Sequence, residues 1–382
     1  MYSLEGYGGM LADKIRHDAF CRAMRMIAKP GSVILEIGTG PGFFAVLACQ
    51  AGARRVFAIE SGEVIQVARE IAVANGCADR IEFFEGFSTK VTLPERVDAI
   101  FSDLRGVLPL FEHHIPSIID ARSRFLKAGG ILSPRKDTIW MAPVEAPKIY
   151  SKMMDSWDQP GFGQDLSPAR KRIVNSLRRE RATPDQLLAD PQVWVTLDYP
   201  RIESPDQRGE VQWTANRAGT AHGMLAWFDA DLAEGAFFST SPFGPDTVYA
   251  SMFFPWLHPV ELVQGDTACV QMEAKLTGED YVFRWSTQVK PGGMRGQTRD
   301  QFEQSTLGGI VLSPERLRKA ASNHIPSLTD EGAMARRVLD LVDCRATLED
   351  IARTLAAEYP DRFAAWHDAL KFASALSQKY SQ

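Results

Sequence analysis

The chain has 382 residues, 45% of them hydrophobic and 24% charged, with 43 Lys and Arg against 48 Asp and Glu. That length suits two or three domains, and a formal net charge of −5 gives no overall pull toward nucleic acid or an anionic membrane surface, so neither is an expected partner. The five cysteines (Cys21, Cys49, Cys77, Cys269 and Cys344) form no Cys-x-x-Cys pair and the seven histidines do not cluster, which argues against a disulfide framework or a metal site. There is no apolar run of about 18 residues and no basic-then-apolar opening, so a cytoplasmic protein is expected.

In chain order, Val33–Ile37 reads as a buried strand, followed by a glycine turn and a helix over Phe43–Ala51. Arg55–Ile59 is the next strand, ending on Glu60; a helix over Val64–Asn75 and strands at Arg80–Phe84 and Val97–Phe101 follow. This alternation predicts an α/β fold, a Rossmann-like domain over residues 1–134 with helices on both faces of a parallel sheet. Residues 135–311 change texture, to β runs broken by Gly, Pro and Asp: Val193–Leu197, Met224–Phe228, Val248–Phe254, Thr267–Leu276 and Tyr281–Val289. They predict an antiparallel β-barrel or sandwich. Within it a charged stretch, about 158–190, carries Arg170-Lys171-Arg172 and Arg178-Arg179-Glu180-Arg181 and reads as a helical insert, for which a solvated helix is a sufficient explanation. Residues 312–382 turn helical. Met334, Val338, Leu341 and Val342 share one face, Thr347 with Asp350 opens a second helix in the manner of a capping box, and Phe363, Trp366, Leu370 and Ala373 line a third.

The first strand runs into Glu36-Ile37-Gly38-Thr39-Gly40-Pro41-Gly42. Glycines at a strand-to-helix turn permit a tight bend and let the backbone approach a ligand closely. The spacing is Gly-x-Gly-x-Gly rather than the dinucleotide pattern. Glu60, 20 residues after Gly40, ends the second strand, where a carboxylate can hold both hydroxyls of an unphosphorylated ribose. Glu36 would repel a pyrophosphate but suits the ammonium of methionine. Together these favour S-adenosylmethionine over a nicotinamide dinucleotide.

With those residues in hand, the chain is similar to the protein arginine methyltransferases over residues 5 to about 290. The segment Tyr7-Gly8-Gly9-Met10-Leu11-Ala12-Asp13-Lys14-Ile15-Arg16 resembles the family's N-terminal helix signature; Ala51-Gly52-Ala53, Ala58-Ile59-Glu60 and Asn75-Gly76 match further along, as do Phe228-Asp229 and Phe238-Ser239-Thr240-Ser241-Pro242 in the barrel. Trp157 and Gly161-Phe162-Gly163 precede what is, in the family, a dimerisation arm. The resemblance implies that Arg16 binds the methionine carboxylate and that Met10 packs near the sulfonium. By the same resemblance Gly38, Thr39, Gly40, Gly42, Glu60, Ser61, Gly86 and Phe87 surround the cofactor, Tyr7, Arg105 and Tyr249 face the acceptor, and the chain forms a homodimer.

The family carries two glutamates on a loop after the fourth strand. Here the loop is Ser102-Asp103-Leu104-Arg105-Gly106-Val107-Leu108-Pro109-Leu110-Phe111-Glu112, so Glu112 matches the second and Asp103 stands in place of the first. Two carboxylates can grip a guanidinium by charge-assisted hydrogen bonds and bias its charge toward the gripped nitrogens, leaving the remaining nitrogen aimed at a sulfonium methyl for in-line displacement. Asp103 is shorter than glutamate by about 1.5 Å, one C–C bond. Arg105 stands where the family usually has methionine, free to pair with Asp103 or Glu112, to point away, or to bind a substrate carboxylate. Thr247-Val248-Tyr249 replaces the family's Thr-His-Trp loop, and Thr89 replaces an acid near the adenine.

These features lead to an S-adenosylmethionine-dependent N-methyltransferase acting on arginine in a peptide or protein, with Asp103 and Glu112 as the catalytic pair. A methyltransferase for free arginine or another small amine is the first alternative, and a catalytically weak binding subunit the second. The C-terminal region, including Leu328–Gly332 and Ala346–Ala352, looks like the small PqqD-like modules that bind leader peptides of ribosomally made natural products. A helical cap on the barrel or on a dimer partner would account for it equally.

Overall fold

In a computed structural model of the chain, residues 3–158, 163–292 and 298–381 are described; Gly161 and Phe162 of the arm motif lie outside them. The chain divides into two units, residues 1–310 and 311–382.

The first unit opens with two helices, α1 (Leu4–Ala12) and α2 (Lys14–Ile27), hinged at Asp13, whose carboxylate caps α2 by accepting the Arg16 N–H at 3.1 Å. The βαβ region follows: β1 (Val33–Ile37), α3 (Phe43–Gln50), β2 (Arg55–Glu60), α4 (Ile65–Ala74), β3 (Ile81–Glu85), β4 (Val97–Ser102), α5 (His114–Arg124) and β5 (Leu126–Ser133). The five strands form one parallel sheet in the order β3-β2-β1-β4-β5. All five residues of β1 are buried, as a strand covered on both faces requires. The strand order reverses between β1 and β4, and the crevice at such a point, beyond the carboxyl ends of the strands, is where ligands bind in open α/β sheets. Register brings Ile37 beside Ile59 on one side and Ser102 on the other, so the segments that follow β1, β2 and β4 emerge together.

The chain continues through β6 (Lys136–Val144), α6 (Pro147–Asp158), α7 (Ser167–Ile173), β7 (Arg178–Glu180), β8 (Gln192–Asp198), β9 (Gln207–Thr214), β10 (Gly219–Ala233), β11 (Ala236–Ser239), β12 (Ser251–Leu262), β13 (Thr267–Thr277), β14 (Asp280–Lys290) and β15 (Asp300–Ser305). One antiparallel sheet runs β7-β12-β10-β6-β8 with β11 on β10; another runs β15-β14-β13-β9. In β13 and β14 buried residues alternate with exposed or half-buried ones, the pattern of a sheet with one face on the core and one in water. Trp213, Trp256 and Trp285 are fully buried there, and Trp213 and Trp285 donate their indole N–H to the Met141 carbonyl and the Gln304 side chain.

Three expectations change. Among the described residues of the charged insert after 162, the α-helix covers Ser167–Ile173, and Arg178–Glu180 pair with Ser251–Phe253 as a strand. The strand expected from Val248 begins at Ser251, with Thr247–Ala250 forming a turn. Helix α6 was not foreseen; its buried Tyr150, Met153 and Met154 pack with Leu225, Trp227 and Phe253.

The second unit holds α8 (Pro314–Lys319), α9 (Asp330–Asp343), α10 (Leu348–Glu358) and α11 (Trp366–Tyr380). Met334, Val338, Ile351, Leu355, Phe363, Ala369 and Ala373 make its core, and Thr347 caps α10 by accepting the Asp350 N–H at 3.2 Å. Among the described residues no helix is long and apolar enough to cross a membrane, and no group of three acidic, His or Cys side chains could hold a metal ion.

Candidate functional site

The turn after β1 takes its shape from three glycines with φ of +75° (Gly38), +52° (Gly40) and +82° (Gly42), values strained for any side chain. Space at the loop is as restricted as its backbone. A Cβ on Gly38 would lie 2.6 Å from a Leu104 methyl, and one on Gly40 2.7 Å from the Tyr7 ring. So Leu104, from the segment after β4, and Tyr7, from α1, both close on the loop.

Two acids organise this half. Glu60 accepts the Gly40 N–H and the Gly62 N–H, each at 2.9 Å. Glu36 is buried on β1 and accepts the Thr39 hydroxyl at 2.6 Å. Burial pushes the Glu36 carboxyl up to about 8; the Thr39 bond opposes this and the Glu60 charge adds to it. Gly86 donates its N–H to the Glu60 carbonyl at 2.8 Å, tying the segment after β3 to the end of β2. Ser61 and Phe87 are exposed beside it. These residues suit an adenosyl group bearing a methionine chain. The glycine cradle leaves no room for a Cβ and an acid stands at the tip of β2, while Arg16, the cation expected to take the methionine carboxylate, is buried and bonded to Asp103.

The second half lies on the segment after β4. Arg16, on α2, donates from Nε and Nη2 to Asp103 Oδ2 at 3.0 and 2.6 Å, from Nε to the Tyr249 hydroxyl at 3.1 Å, and from Nη1 to the Met10 carbonyl at 3.3 Å. Thus Met10 enters through its backbone. The Tyr249 hydroxyl donates to the same Asp103 oxygen at 2.5 Å, and its ring stacks on Phe238. Arg105 donates from Nη1 to the other Asp103 oxygen at 3.1 Å and forks onto Asp137 through Nε at 2.6 Å and Nη2 at 2.9 Å. Tyr199 donates its hydroxyl to Asp137 at 2.5 Å, and His114 bonds that hydroxyl at 2.9 Å.

This network is almost wholly enclosed: the side chains of Arg105 and Asp137 are 0% exposed and that of Asp103 is 11% exposed. Burial alone would raise the Asp103 carboxyl, but the Arg16 and Arg105 charges and the Tyr249 hydroxyl outweigh it and hold the group below its ordinary value. Burial would likewise lower the Arg105 guanidinium, yet Asp137 keeps it well above its ordinary value. Burial, with help from the Arg105 charge, takes His114 down to about 3, so its ring is neutral at physiological pH.

Three expected roles are therefore corrected. Arg105 is not a site for a substrate carboxylate: its side chain reaches no solvent and is committed to Asp103 and Asp137. Tyr249 is buried against Phe228 and Phe238 and serves Asp103 and Arg16 rather than an acceptor. Asp103 is not a free partner for Glu112, because its oxygens already take bonds from two arginines and a tyrosine. Glu112 is exposed, with φ +41°, and is not brought into the network.

The sequence offered no role for Asp137, Tyr199 or His114, and Asp13 stood there only as one position of the Tyr7–Arg16 segment. Asp13 joins α2 to the turn at 247–250 by accepting the Val248 N–H at 2.7 Å, and Arg181 and Arg179 hold the Thr247 and Val248 carbonyls of that turn. The available signal was Asp137 itself, an acid near the start of an apolar strand, where burial demands a partner.

Comparison with known proteins places these features in company. A family described as the arginine methyltransferase oligomerization subdomain matches residues 135–288, and one described as a methyltransferase domain matches residues 34–130. The probable protein arginine N-methyltransferase 6 of Arabidopsis thaliana is 29% identical over 233 residues, which cover 59% of this chain and 53% of that protein. Protein arginine N-methyltransferase 2 of Mus musculus is 32% identical over 249 residues, covering 61% of this chain and 55% of that protein. The match thus spans little more than half the length of these two relatives. Among solved structures, Arabidopsis thaliana protein arginine methyltransferase 10 superposes with a TM-score of 0.71 at 22% identity, over 79% of this chain and 97% of that one.

Proposed function

We propose that the chain belongs to the protein arginine methyltransferase family and is an S-adenosylmethionine-dependent enzyme that methylates a guanidinium nitrogen of arginine in a peptide or protein, a reading supported by the matches over residues 34–130 and 135–288. The observation that carries this reading is the convergence, at the switch point between β1 and β4, of the glycine loop, Glu60 and Arg16 with the acid-bearing segment from Asp103 to Glu112.

The cofactor supplies an electrophilic methyl on a sulfonium. The chain's own residues do the rest. Glu60, which accepts the Gly40 and Gly62 N–H groups at the tip of β2, would hold the ribose hydroxyls. Arg16 would take the methionine carboxylate in exchange for its bonds to Asp103, and Glu36, whose carboxyl burial pushes up to about 8, would face the ammonium. Glu112, exposed and at the far end of the segment, offers a carboxylate to an incoming guanidinium. Tyr7 and Leu104 pack against the glycines. The match of residues 135–288 to an oligomerization subdomain supports a homodimer.

Free arginine as acceptor loses its main support, since Arg105 cannot reach a substrate carboxylate. The binding-subunit alternative gains from the engagement of Asp103 by two arginines. The test is incubation of the full chain with S-adenosylmethionine and either arginine-containing peptides or free arginine, read by mass spectrometry. Methylated peptide with unmodified free arginine supports the proposal; methylation of free arginine alone, or of neither, overturns it.

A further inference from the structure

The acceptor side of the site holds an arginine of its own. Arg105 spans two acids, forking onto Asp137 and reaching Asp103 at 3.1 Å. Phe20 and Phe228 flank its guanidinium, their ring centres 6.0 and 5.8 Å away. Asp137 is fixed in turn by the Tyr199 hydroxyl, so the fork has little freedom to swing aside. The four charged members, Arg16, Asp103, Arg105 and Asp137, sum to zero. A cationic acceptor approaching Asp103 therefore meets a carboxylate whose charge is already cancelled and whose two oxygens are already bonded.

We propose that Arg105 is a specificity-determining residue that acts as a built-in competitor for the acceptor. It occupies Asp103 with its own guanidinium, so that the site binds arginine acceptors weakly and through Glu112 alone. The inference rests on the functional reading above in taking a guanidinium as the acceptor. Asp137 is the anchor: it gives Arg105 two further bonds and a compensating charge, which makes a buried arginine tolerable at this position. Specificity of this kind comes from an unfavourable element set against one class of ligand as much as from contacts made to another.

The test is a pair of substitutions that empties the fork without stranding a charge. Arg105→Met with Asp137→Asn removes one cation and one anion together, and the amide oxygen introduced on β6 can still accept the Tyr199 hydroxyl. Full-length wild type and the double variant are titrated calorimetrically with N-acetyl-arginine amide, with and without S-adenosylhomocysteine. The inference requires the double variant to bind the probe tighter by about tenfold or more, because the Asp103 oxygen that Arg105 bonds becomes free to accept a charge-assisted hydrogen bond from the probe. Unfolding midpoints establish that both proteins are folded. If the folded double variant binds the probe no tighter than wild type, Arg105 is only a structural tie and the inference is overturned. The heat of S-adenosylhomocysteine binding, measured in the same series, reports separately on the cofactor reading. A chain that binds no S-adenosylhomocysteine but still tightens on the probe would sink that reading while leaving Arg105 as the competitor.

Discussion

The two halves of the site are built from different materials. Around the glycine loop, the key bonds run from backbone amides to one acid: Glu60 takes the N–H groups of Gly40 and Gly62. Around Asp103 they run from side chain to side chain, through Arg16, Arg105 and Tyr249. A backbone-built site keeps its form through most substitutions, because every residue but proline supplies an N–H. A site built from side-chain ion pairs is re-specified by a single exchange, and each bond to Asp103 here comes from one side chain: Arg16, Arg105 or Tyr249. That contrast explains how the glycine-loop half can keep its form while the half around Asp103 depends on each side chain present.

The largest effect that could break this contrast is on the acid anchoring Arg105. Asp137→Ala leaves a guanidinium with 0% exposed side chain bonded only to Asp103, and removal of one partner of a buried pair costs about 3–5 kcal/mol. Urea unfolding followed by circular dichroism should show a loss of that size; a loss below about 1 kcal/mol, the value of an exposed pair, would mean the network is not the rigid element described above.

A smaller effect, on the cofactor half, is its dependence on pH. Glu36 has its folded value raised from 4.5 to about 8, so the folded chain holds a proton that the unfolded chain releases. Its contribution is fully present below pH 4.5 and is lost as pH rises through 8. His114 works the other way: lowered from 6.5 to about 3, it favours the folded state above pH 6.5 and opposes it progressively as pH falls toward 3. Glu36→Gln, which can still accept the Thr39 hydroxyl, should flatten the alkaline limb of the stability profile by roughly 2–4 kcal/mol and leave the acid limb in place. An unchanged alkaline limb would remove Glu36 from the buried position assigned to it.

Much of the first half was legible because its signals are local. The strand Val33–Ile37, the glycine turn and the acid at Glu60 lie within 28 residues, and their periodicity and spacing have few structural readings. The same holds for α10, whose cap is contained in the short stretch from Thr347 to Asp350. The acceptor half was legible only as a list of candidates. Arg105 could be seen to be out of place, but its partner lies 32 positions away on a strand of another sheet, and no period connects the two. Tyr249 was misread for the same reason, since its hydroxyl meets Asp103 across 146 positions. The stretch at 178–181 misled because its charge suggested a solvated helix, whereas Arg178–Glu180 are fixed by pairing with Ser251–Phe253. Tertiary partners there override local preference.

The most direct test of the central claim, that the backbone-built half still binds its cofactor, is calorimetric titration of S-adenosylmethionine into wild type and Glu60→Ala. Wild type should bind one molecule per chain, and the variant should lose at least about tenfold in affinity, the equivalent of about 1.4 kcal/mol. Absence of binding by the folded wild-type chain, or equal affinity in the two proteins, would contradict it.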